Sequence, residues 1–449
     1  MDEGVIVYVG PASSAPLAND YDLGDAVLLP GLVNAHTHLE LTAMRGFLEG
    51  LKFSDWIDTL RRARGAVLDD AMLLDSARLG VIEGVECGVT TFADTSASGV
   101  SARAMRECGV RGITYQETFG PDPATCDAAM MELDARVRAL TAEPTMLITI
   151  GVSPHAPYTV SDALYRAVAA YASSNELPIA MHIGEGADEH ALVTSGTGIF
   201  AERLGRRGIR TPSRARSPIA LLAELGALLP GALLIHAVHA DDEDIRTIAQ
   251  HHACVAHCPV SNAKLGHGVA PLAHFLAADI PVGLGSDSVA SNNRMDMLDE
   301  ARIALLMQNA RGGSALEVSA QTALELVTIG GARALGLERT VGSLEPGKAA
   351  DLVAFRLDES RTTPTEDPVA ALIFSLGGSR AFLVTVAGRH LVENGDAVIN
   401  PGGLRGRVGE YGRSLTEWRR SDGSSFRSAI PSSIQSTPGT PGTLDLAAP

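Results

Sequence analysis

Histidine, glutamate and aspartate residues stand at the ends of several apolar segments, where they could bind one metal ion. In the stretch GLVNAHTHLEL, His36 and His38 are two residues apart and follow an apolar run. Side chains two apart on a β-strand point to the same face, so both imidazoles can reach one ion. Taken alone, the pair could equally be two unrelated polar residues. His182 and Asp287 end two further apolar runs, and three imidazoles with one carboxylate suit Zn²⁺ or Fe²⁺.

Acid–base chemistry has two candidates near this set. Glu185 follows His182 by three residues in the stretch HIGE. A carboxylate just past the strand could move a proton from a metal-activated water to a leaving group, and a carboxylate at a helix start is the alternative interpretation. His236 and His239 are three apart in IHAVH, so on a strand they face opposite sides. We therefore assign the water-orienting role to His239 and interpret His236 as a packed core residue.

Two other metal motifs fit less well. The stretch HLE at 38–40 matches the His-x-Glu of the small zinc nucleobase deaminases, but those enzymes need a downstream Pro-Cys-x-x-Cys that this sequence lacks. The stretch CVAHC at 254–258 has no second cysteine pair to complete four ligands. The five cysteines are odd in number and scattered, which favours reduced thiols and a cytoplasmic protein over a disulfide framework.

The chemistry-bearing residues must be positioned by eight short apolar runs between about residues 28 and 288, most of them separated by segments with helical spacing. Strands that alternate with helices predict βαβ units and a parallel sheet, here a closed (β/α)₈ barrel. Ionisable residues at the C-terminal ends of barrel strands form the active sites of this fold. An open doubly wound sheet would need a Gly-rich phosphate turn that is absent. The runs are AVLLPGLVNAHTH, GVTTFADT, RGITYQET, MLITIGVSPHAP, LPIAMHIGE, ALLIHAVHA, ACVAHCP and IPVGLGSDS.

The domain organisation follows from what flanks these runs. We predict the N-terminal part of a small β-sandwich in residues 1–27, the barrel in 28–340 and the C-terminal part of the sandwich in 341–405. Residues 406–449 are predicted to be largely a disordered tail, because the final thirty residues are rich in Ser, Pro, Gly and Thr. Fewer residues precede the first barrel motif than a sandwich half needs, which indicates a truncated or misassigned start.

Composition excludes some partners. The chain has 449 residues, and 36 Lys+Arg against 53 Asp+Glu give a net charge of −17. A chain this acidic is a poor ligand for nucleic acid or an anionic membrane surface. No apolar stretch predicts a signal peptide or a membrane span. We expect a cytoplasmic enzyme with a small-molecule substrate, for which a homo-oligomer is an open alternative.

Six stretches together resemble the motifs of the amidohydrolase superfamily, in its cytosine deaminase, adenosine-type deaminase and chlorohydrolase branch. The resemblance runs from about residue 25 to 400 and places the motifs in the family's strand order. It includes the return to the small β-sandwich in GARALGLERTVGSLEPGKAADLVAF. The barrel motifs are PGLVNAHTHLE, SPHAPYTVS, MHIGEGADE, LIHAVHADDEDI, VAHCPVSNAKLG and VGLGSDSVASNNRMDMLDEAR.

The resemblance implies a site with one divalent ion on His36, His38, His182 and Asp287. It also implies that Asp287 takes a proton from the attacking water. Members with two metals often use a carbamylated lysine on the fourth strand, and the stretch SPHAP has His155 but no lysine. The spacing after the first motif, and an insert between the fifth and sixth strands, are similar to aminodeoxyfutalosine deaminases.

The predicted reaction is hydrolytic deamination of an aminated purine-like ring by a metal-bound hydroxide. Glu185 would protonate the ring nitrogen, and Asp287 the departing amine. Chlorohydrolase chemistry, cyclic amide hydrolysis and a non-catalytic metal-binding protein are the alternatives. The predicted substrate contacts are His155, Glu40, Arg45, Asn262 and Ser288.

Overall fold

The strands and helices follow the predicted alternation. The computed structural model describes residues 1–16, 21–313, 317–399 and 402–422. Short 3₁₀ helices lie at Ala12–Ser14, Leu39–Met44 and Pro123–Thr125. The strands are β1 (Ala26–Pro30), β2 (Leu32–Thr37), β3 (Val89–Ser96), β4 (Arg111–Thr118), β5 (Ile148–Pro154), β6 (Ala180–Ile183), β7 (Leu233–His236), β8 (Cys254–His257), β9 (Val282–Leu284), β10 (Leu352–Arg356), β11 (Leu383–Val386), β12 (Arg389–Glu393) and β13 (Asp396–Ala397).

The helices fill the connections between these strands and continue beyond the last of them. Among the described residues, no helix is long and apolar enough to cross a bilayer. The helices are α1 (Phe53–Val67), α2 (Asp70–Glu86), α3 (Val100–Cys108), α4 (Cys126–Thr141), α5 (Asp162–Ser174), α6 (Ala187–Ser195), α7 (Gly198–Arg206), α8 (Pro218–Glu224), α9 (Asp242–Gln250), α10 (Pro259–Lys264), α11 (Leu272–Ala277), α12 (Val289–Asn292), α13 (Met297–Gly312), α14 (Ala320–Leu326), α15 (Ile329–Ala334), α16 (Pro368–Ser375) and α17 (Leu404–Ser421).

Strands β2 to β9 form a closed parallel barrel. They pair in two four-stranded sheets, in the orders β2-β3-β4-β5 and β6-β7-β8-β9. A parallel bridge between Val152 and Ile179 joins β5 to β6, and a second between Thr37 and Asp287 joins the two outer strands. At that second seam the Asp287 amide donates to the His36 carbonyl at 2.9 Å. The predicted (β/α)₈ barrel is confirmed.

The barrel strands are buried on both faces, because side chains fill the interior and helices cover the outside. Every residue of β2, β3 and β4 is buried. One buried cluster includes Val33, Ala35, Ile113, Tyr115 and Ile235 from β2, β4 and β7. Alternate residues of these strands therefore pack inside the barrel, which leaves the strand ends to carry the polar side chains.

A small antiparallel sheet is built from both ends of the chain, as predicted. Its strand order is β1-β10-β11-β12-β13, and β1 pairs with β10 from Ala26 opposite Arg356 to Pro30 opposite Leu352. A buried ion pair ties it to the barrel, since Arg111 Nε on β4 lies 2.7 Å from Asp351 Oδ2 just before β10. The exact domain boundaries remain a prediction.

The C-terminal segment begins with a helix. Residues 404–421 form the 18-residue helix α17, at the start of the segment predicted to be largely disordered. Its buried residues Leu404, Val408 and Leu415 recur at spacings of four and seven, which is the pattern of a helix with one apolar face. Composition beyond Ser421 obscured that pattern. The rest of the predicted tail, 423–449, lies outside the described residues.

Helix α17 packs against α1, which lies over the mouth of the barrel. The Leu415 side chain is fully buried in a cluster with Phe53 and Trp56 of α1. The Arg62 guanidinium lies 5.6 Å from the centre of the Trp418 ring and also pairs with Asp422, Nη2 to Oδ1, at 2.5 Å. A helix from the first quarter of the chain and one from its C-terminal part therefore form one packed pair.

Replacing Leu415 by alanine is expected to lower the free energy of unfolding by about 2–5 kcal/mol, because it leaves a cavity in this cluster. Urea denaturation followed by tryptophan fluorescence measures it well, since Trp56 and Trp418 are the only two tryptophans and both flank the contact. The control is Leu306→Ala on α13, whose side chain is 41% exposed and should change stability by less than about 0.5 kcal/mol. Equal effects of the two variants would contradict the packing role of Leu415.

Candidate active site

A cavity of about 340 Å³ opens at the C-terminal ends of the barrel strands. The ends of β2 and of β4 to β7, together with the loop after β9, supply its polar floor. Helix α1 supplies most of an apolar wall. The polar floor consists of His38, Glu117, His155, His182, Glu185, His236 and Asp287, and the wall consists of Phe53, Trp56, Ile57, Leu60, Phe119 and Tyr158. Such a cavity suits a largely apolar ring system that is fixed by a few polar contacts.

The predicted metal ligands converge at one point of the floor. Asp287 Oδ1 lies 3.3 Å from His36 Nε2 and 3.6 Å from His38 Nε2. His38 Nε2 also faces His182 Nε2 at 3.2 Å. The buried His36 Nε2 has no hydrogen-bond partner among the described residues. Ring nitrogens that point at one another and at a carboxylate are poorly satisfied by each other, and a shared divalent cation would satisfy all of them.

The protonation states fit the same interpretation. Burial lowers the pKa of His36 to about 4, and it also lowers the pKa of His38 and His182. Burial opposes ionisation of Asp287, but the His36 imidazole that faces it keeps its pKa well below the usual range. Neutral imidazoles and an ionised carboxylate are the forms that ligate metal ions.

Asp287 is held by its surroundings in an unusual backbone conformation. Its φ is 56°, a left-handed value that costs about 1–3 kcal/mol for a residue other than glycine. The hydroxyls of Ser261 and Ser291 donate to its Oδ2 at 2.5 and 2.9 Å. Oδ1 is thereby left to face His36 and His38.

Glu185 lies beside the metal cluster and is positioned by another carboxylate. The Glu189 side chain accepts hydrogen bonds from the amides of Gly184 and Glu185, both at 2.9 Å. Glu185 Oε1 lies 3.6 Å from His236 Nε2 and 3.4 Å from His267 Nε2. Burial opposes ionisation of Glu185, but these two histidines lower its pKa overall. The geometry suits a carboxylate that exchanges protons with a ligand in the cavity.

His236, and not His239, lies in the site. His236 ends β7, lines the cavity and shares a possible ligand cluster with His36 and His182. Its Nδ1 is 2.9 Å from Asn262 Oδ1. The sequence-based choice of His239 assumed that the strand continued, but φ is 78° at His236 and 45° at the next residue. After this turn, His239 is not among the residues that line the cavity.

The predicted substrate contacts divide into two groups. His155, Ser288 and Glu40 line the cavity, whereas Arg45 and Asn262 do not. Arg45 is directed outward, where it pairs with Glu83 and the Asn293 carbonyl. Asn262 is fully buried behind His236.

Glu117 and His267 are among the polar residues of the site that the sequence-based interpretation missed. Glu117 lies near the end of β4, in the run RGITYQET that was predicted as a strand. The strand-end rule that selected the other ligands would have selected it as well. His267 contacts Glu185 and packs edge-on against Phe53, with ring centres 4.5 Å apart. It lies on a loop, where no strand or helix period could have indicated it.

The chain is similar to known hydrolases over most of its length. Residues 27–391 match the amidohydrolase family. A 5-methylthioadenosine/S-adenosylhomocysteine deaminase of Moorella thermoacetica is 34% identical over 397 residues, which are 87% of this chain and 88% of that protein. A 5′-deoxyadenosine deaminase of Methanothermobacter thermautotrophicus is 31% identical over 85% of this chain and 88% of its own length.

Solved structures agree with the sequence matches. An adenosine deaminase from Xanthomonas campestris with bound zinc superposes with a TM-score of 0.82 at 28% identity, covering 92% of both chains. The resemblance predicted from the six motifs is thereby confirmed.

Substituting His36→Asn is expected to weaken zinc binding by more than about 100-fold, because it removes one of the converging imidazoles. Metal content after dialysis against a graded chelator series measures the change. His257→Asn is the matched control, since His257 is buried at the end of β8 but does not line the cavity. Equal zinc loss in both variants would contradict the assignment of His36 to the metal site.

Proposed function

The chain belongs to the amidohydrolase family, and we propose that it removes the 6-amino group of 5′-substituted adenine nucleosides with one zinc ion. It is a metal-dependent hydrolase that acts on non-peptide C–N bonds. The observation that carries the substrate proposal is the position of Glu185 beside the histidine–aspartate cluster, under an apolar wall that can cover a purine ring. Zinc is favoured because the Xanthomonas deaminase holds zinc, whereas Fe²⁺ remains a prediction from the sequence.

In this proposal His36, His38, His182 and Asp287 hold the ion. The convergence of their donor atoms and the unpartnered Nε2 of His36 support that ligand set. An ion bound there supplies Lewis-acid activation of a water molecule.

Glu185 takes one proton of the attacking water and gives it to the ring nitrogen next to the carbon under attack. It is buried in the cavity floor, and its contacts with His236 and His267 limit its movement. A carboxylate that moves a proton to the ring in the transition state contributes about 10²–10⁴-fold to the rate.

Asp287 takes the other proton of the attacking water and passes it to the departing amine. His236 holds that water. Its Nδ1–H faces Asn262 Oδ1, so its Nε2 carries the lone pair and accepts a hydrogen bond from the water. Asn262 is therefore a positioning residue for His236, where the sequence predicted a substrate contact.

The apolar wall favours a nucleoside with a substituent that avoids water. Phe53, Trp56 and Leu60 of α1 line the cavity together with Tyr158 and Phe119. Removing an apolar substituent such as methylthio from water is favourable by about 0.8 kcal/mol per methylene-sized group. Aminodeoxyfutalosine, suggested by motif spacing, stays a prediction within this substrate class.

Ammonia release by the zinc-loaded protein tests the proposal. The panel contains adenosine, 5′-methylthioadenosine, 5′-deoxyadenosine, S-adenosylhomocysteine and aminodeoxyfutalosine. We expect turnover of adenine nucleosides, with larger kcat/KM for those with an apolar 5′ substituent, because that group buries against the wall. Release of chloride from 6-chloropurine riboside, without ammonia from any panel member, would contradict it and favour the chlorohydrolase alternative.

Substituting His236 and His239 separately tests which of these two histidines acts in catalysis. His236→Asn should lower kcat by about 10²–10⁴-fold, because it removes the group that holds the attacking water. His239→Asn should leave kcat within about threefold of the parent, because surface or peripheral changes are usually small. Steady-state kinetics on one adenine nucleoside, with zinc content measured for each variant, decides between them. The reverse order of effects would restore His239 as the functional residue.

A further inference from the structure

Glu117 is a buried carboxyl group in the cavity to which the proposed reaction gives no role. It lies near the end of β4 with 8% of its surface exposed. Its Oε1 has no hydrogen-bond partner among the described residues. The neighbouring Gln116 points the other way, where its Nε2 donates to the Ser96 and Ala97 carbonyls at 3.2 and 3.1 Å. Because a buried acceptor without a partner is costly, this carboxyl group is suited to a ligand that brings a donor.

His155 presents a second acceptor next to Glu117. Its Nδ1 lies 2.8 Å from the Thr159 hydroxyl oxygen, and that hydroxyl lies 3.1 Å from the Ala156 carbonyl. The carbonyl can only accept, so the hydroxyl donates to it and accepts from the Nδ1–H of His155. In this tautomer Nε2 carries the lone pair and faces the cavity.

The two acceptor atoms are too far apart for a hydrogen bond to join them directly. His155 Nε2 and Glu117 Oε1 are 4.0 Å apart, beyond hydrogen-bond distance. A group that carries two donors on adjacent atoms would satisfy both of them. The vicinal hydroxyls of a ribose are such a group.

The other carboxylate on this side of the cavity is already occupied. Glu40 Oε1 pairs with Arg64 Nη2 at 2.8 Å, and its Oε2 accepts from the Ser96 hydroxyl at 2.7 Å. The sequence predicted Glu40 as a substrate contact, but its oxygens are bound to the protein. Glu117 is the carboxylate that remains for the substrate.

The chemistry of the nucleoside limits which donors are available. An adenine substituted at N9 carries no hydrogen-bond donor except its 6-amino group, and the proposed reaction directs that group to the metal cluster. With a substituted 5′ position, the remaining donors are the 2′- and 3′-hydroxyls. Their number matches the two acceptors.

We propose that Glu117 and His155 bind the 2′- and 3′-hydroxyls of the substrate, so that Glu117 determines the preference for ribonucleosides over deoxynucleosides. This role rests on the proposed function and adds a specificity-determining residue to it. Removing a substrate hydroxyl leaves the buried Oε1 of Glu117 unpaired. A site built to bind a hydroxyl discriminates against the analogue that lacks it for this reason.

The test compares kcat/KM for adenosine, 2′-deoxyadenosine and 3′-deoxyadenosine in the parent protein and in Glu117→Met. The parent should prefer adenosine over at least one deoxynucleoside by about 10- to 100-fold, the size expected when a buried acceptor is left unpaired. In the variant this preference should fall to within about threefold, since methionine offers the hydroxyl no oxygen acceptor. A loss of activity that is equal for all three substrates would overturn the assignment.

Two controls separate hydroxyl recognition from a change of net charge and from a loss of zinc. Glu132→Met on α4 makes the same chemical change on the exposed surface, where Glu132 pairs with Arg136, and should keep the parent's preference. Zinc content is measured in every protein, because Glu117 lies close to His38 and His182. A preference that changes only in step with zinc loss would overturn the role in hydroxyl recognition.

Product inhibition separates the sugar hydroxyls from the amine as the donor that Glu117 binds. Inosine keeps both hydroxyls and lacks the amine, so Glu117→Met should raise its inhibition constant by about tenfold. An unchanged constant would assign Glu117 to the amine and overturn the proposal.

If the parent deaminates no nucleoside, the proposed function fails. The direct binding of adenosine and its deoxy analogues, measured by calorimetry, then tests Glu117 by the same comparison.

Discussion

The contact between the end of β2 and the loop after β9 closes the barrel and builds the active site at the same place. The Asp287 amide donates to the His36 carbonyl, while the Asp287 carboxylate faces the imidazoles of His36 and His38. The left-handed backbone at Asp287 lets its amide and its side chain turn to the same neighbouring strand. The strain of that conformation is offset by the seam it completes, so closure of the fold and geometry of the site depend on each other.

Buried carboxylates hold the loops around this seam. Asp94 accepts a hydrogen bond from the Leu39 amide at 2.6 Å, directly after His38. Glu189 binds two amides of the turn that carries Glu185, and Glu300 accepts from the Val260 amide at 3.3 Å and from the Asn292 side chain. Burial raises the pKa of all three carboxyl groups. These carboxyl groups therefore fix the loops, and the loops fix the positions of the cavity residues that they carry.

The outer wall of the cavity has a different origin. Helix α1 faces the cavity with its apolar residues, and α17 covers its other side through Leu415 and Trp418. The apolar wall of the cavity is thus supported by a helix from the far end of the chain.

The sequence by itself determined the barrel, the terminal sheet and the residues that converge at the metal cluster. Strand periodicity is local, and a strand end in a parallel barrel always lies at the same edge, so His36, His38, His182 and Asp287 could be brought together without coordinates. Beyond a strand end, side-chain direction depends on turns and on packing. The positive φ at His236 ends the strand there and places His236 in the cavity lining, where the sequence favoured His239. The ion pair with Arg64 removed Glu40 from the free acceptors. Only the tertiary structure decided these points, and only it showed that Glu117 Oε1 lacks a partner among the described residues, because that depends on every element packed around it.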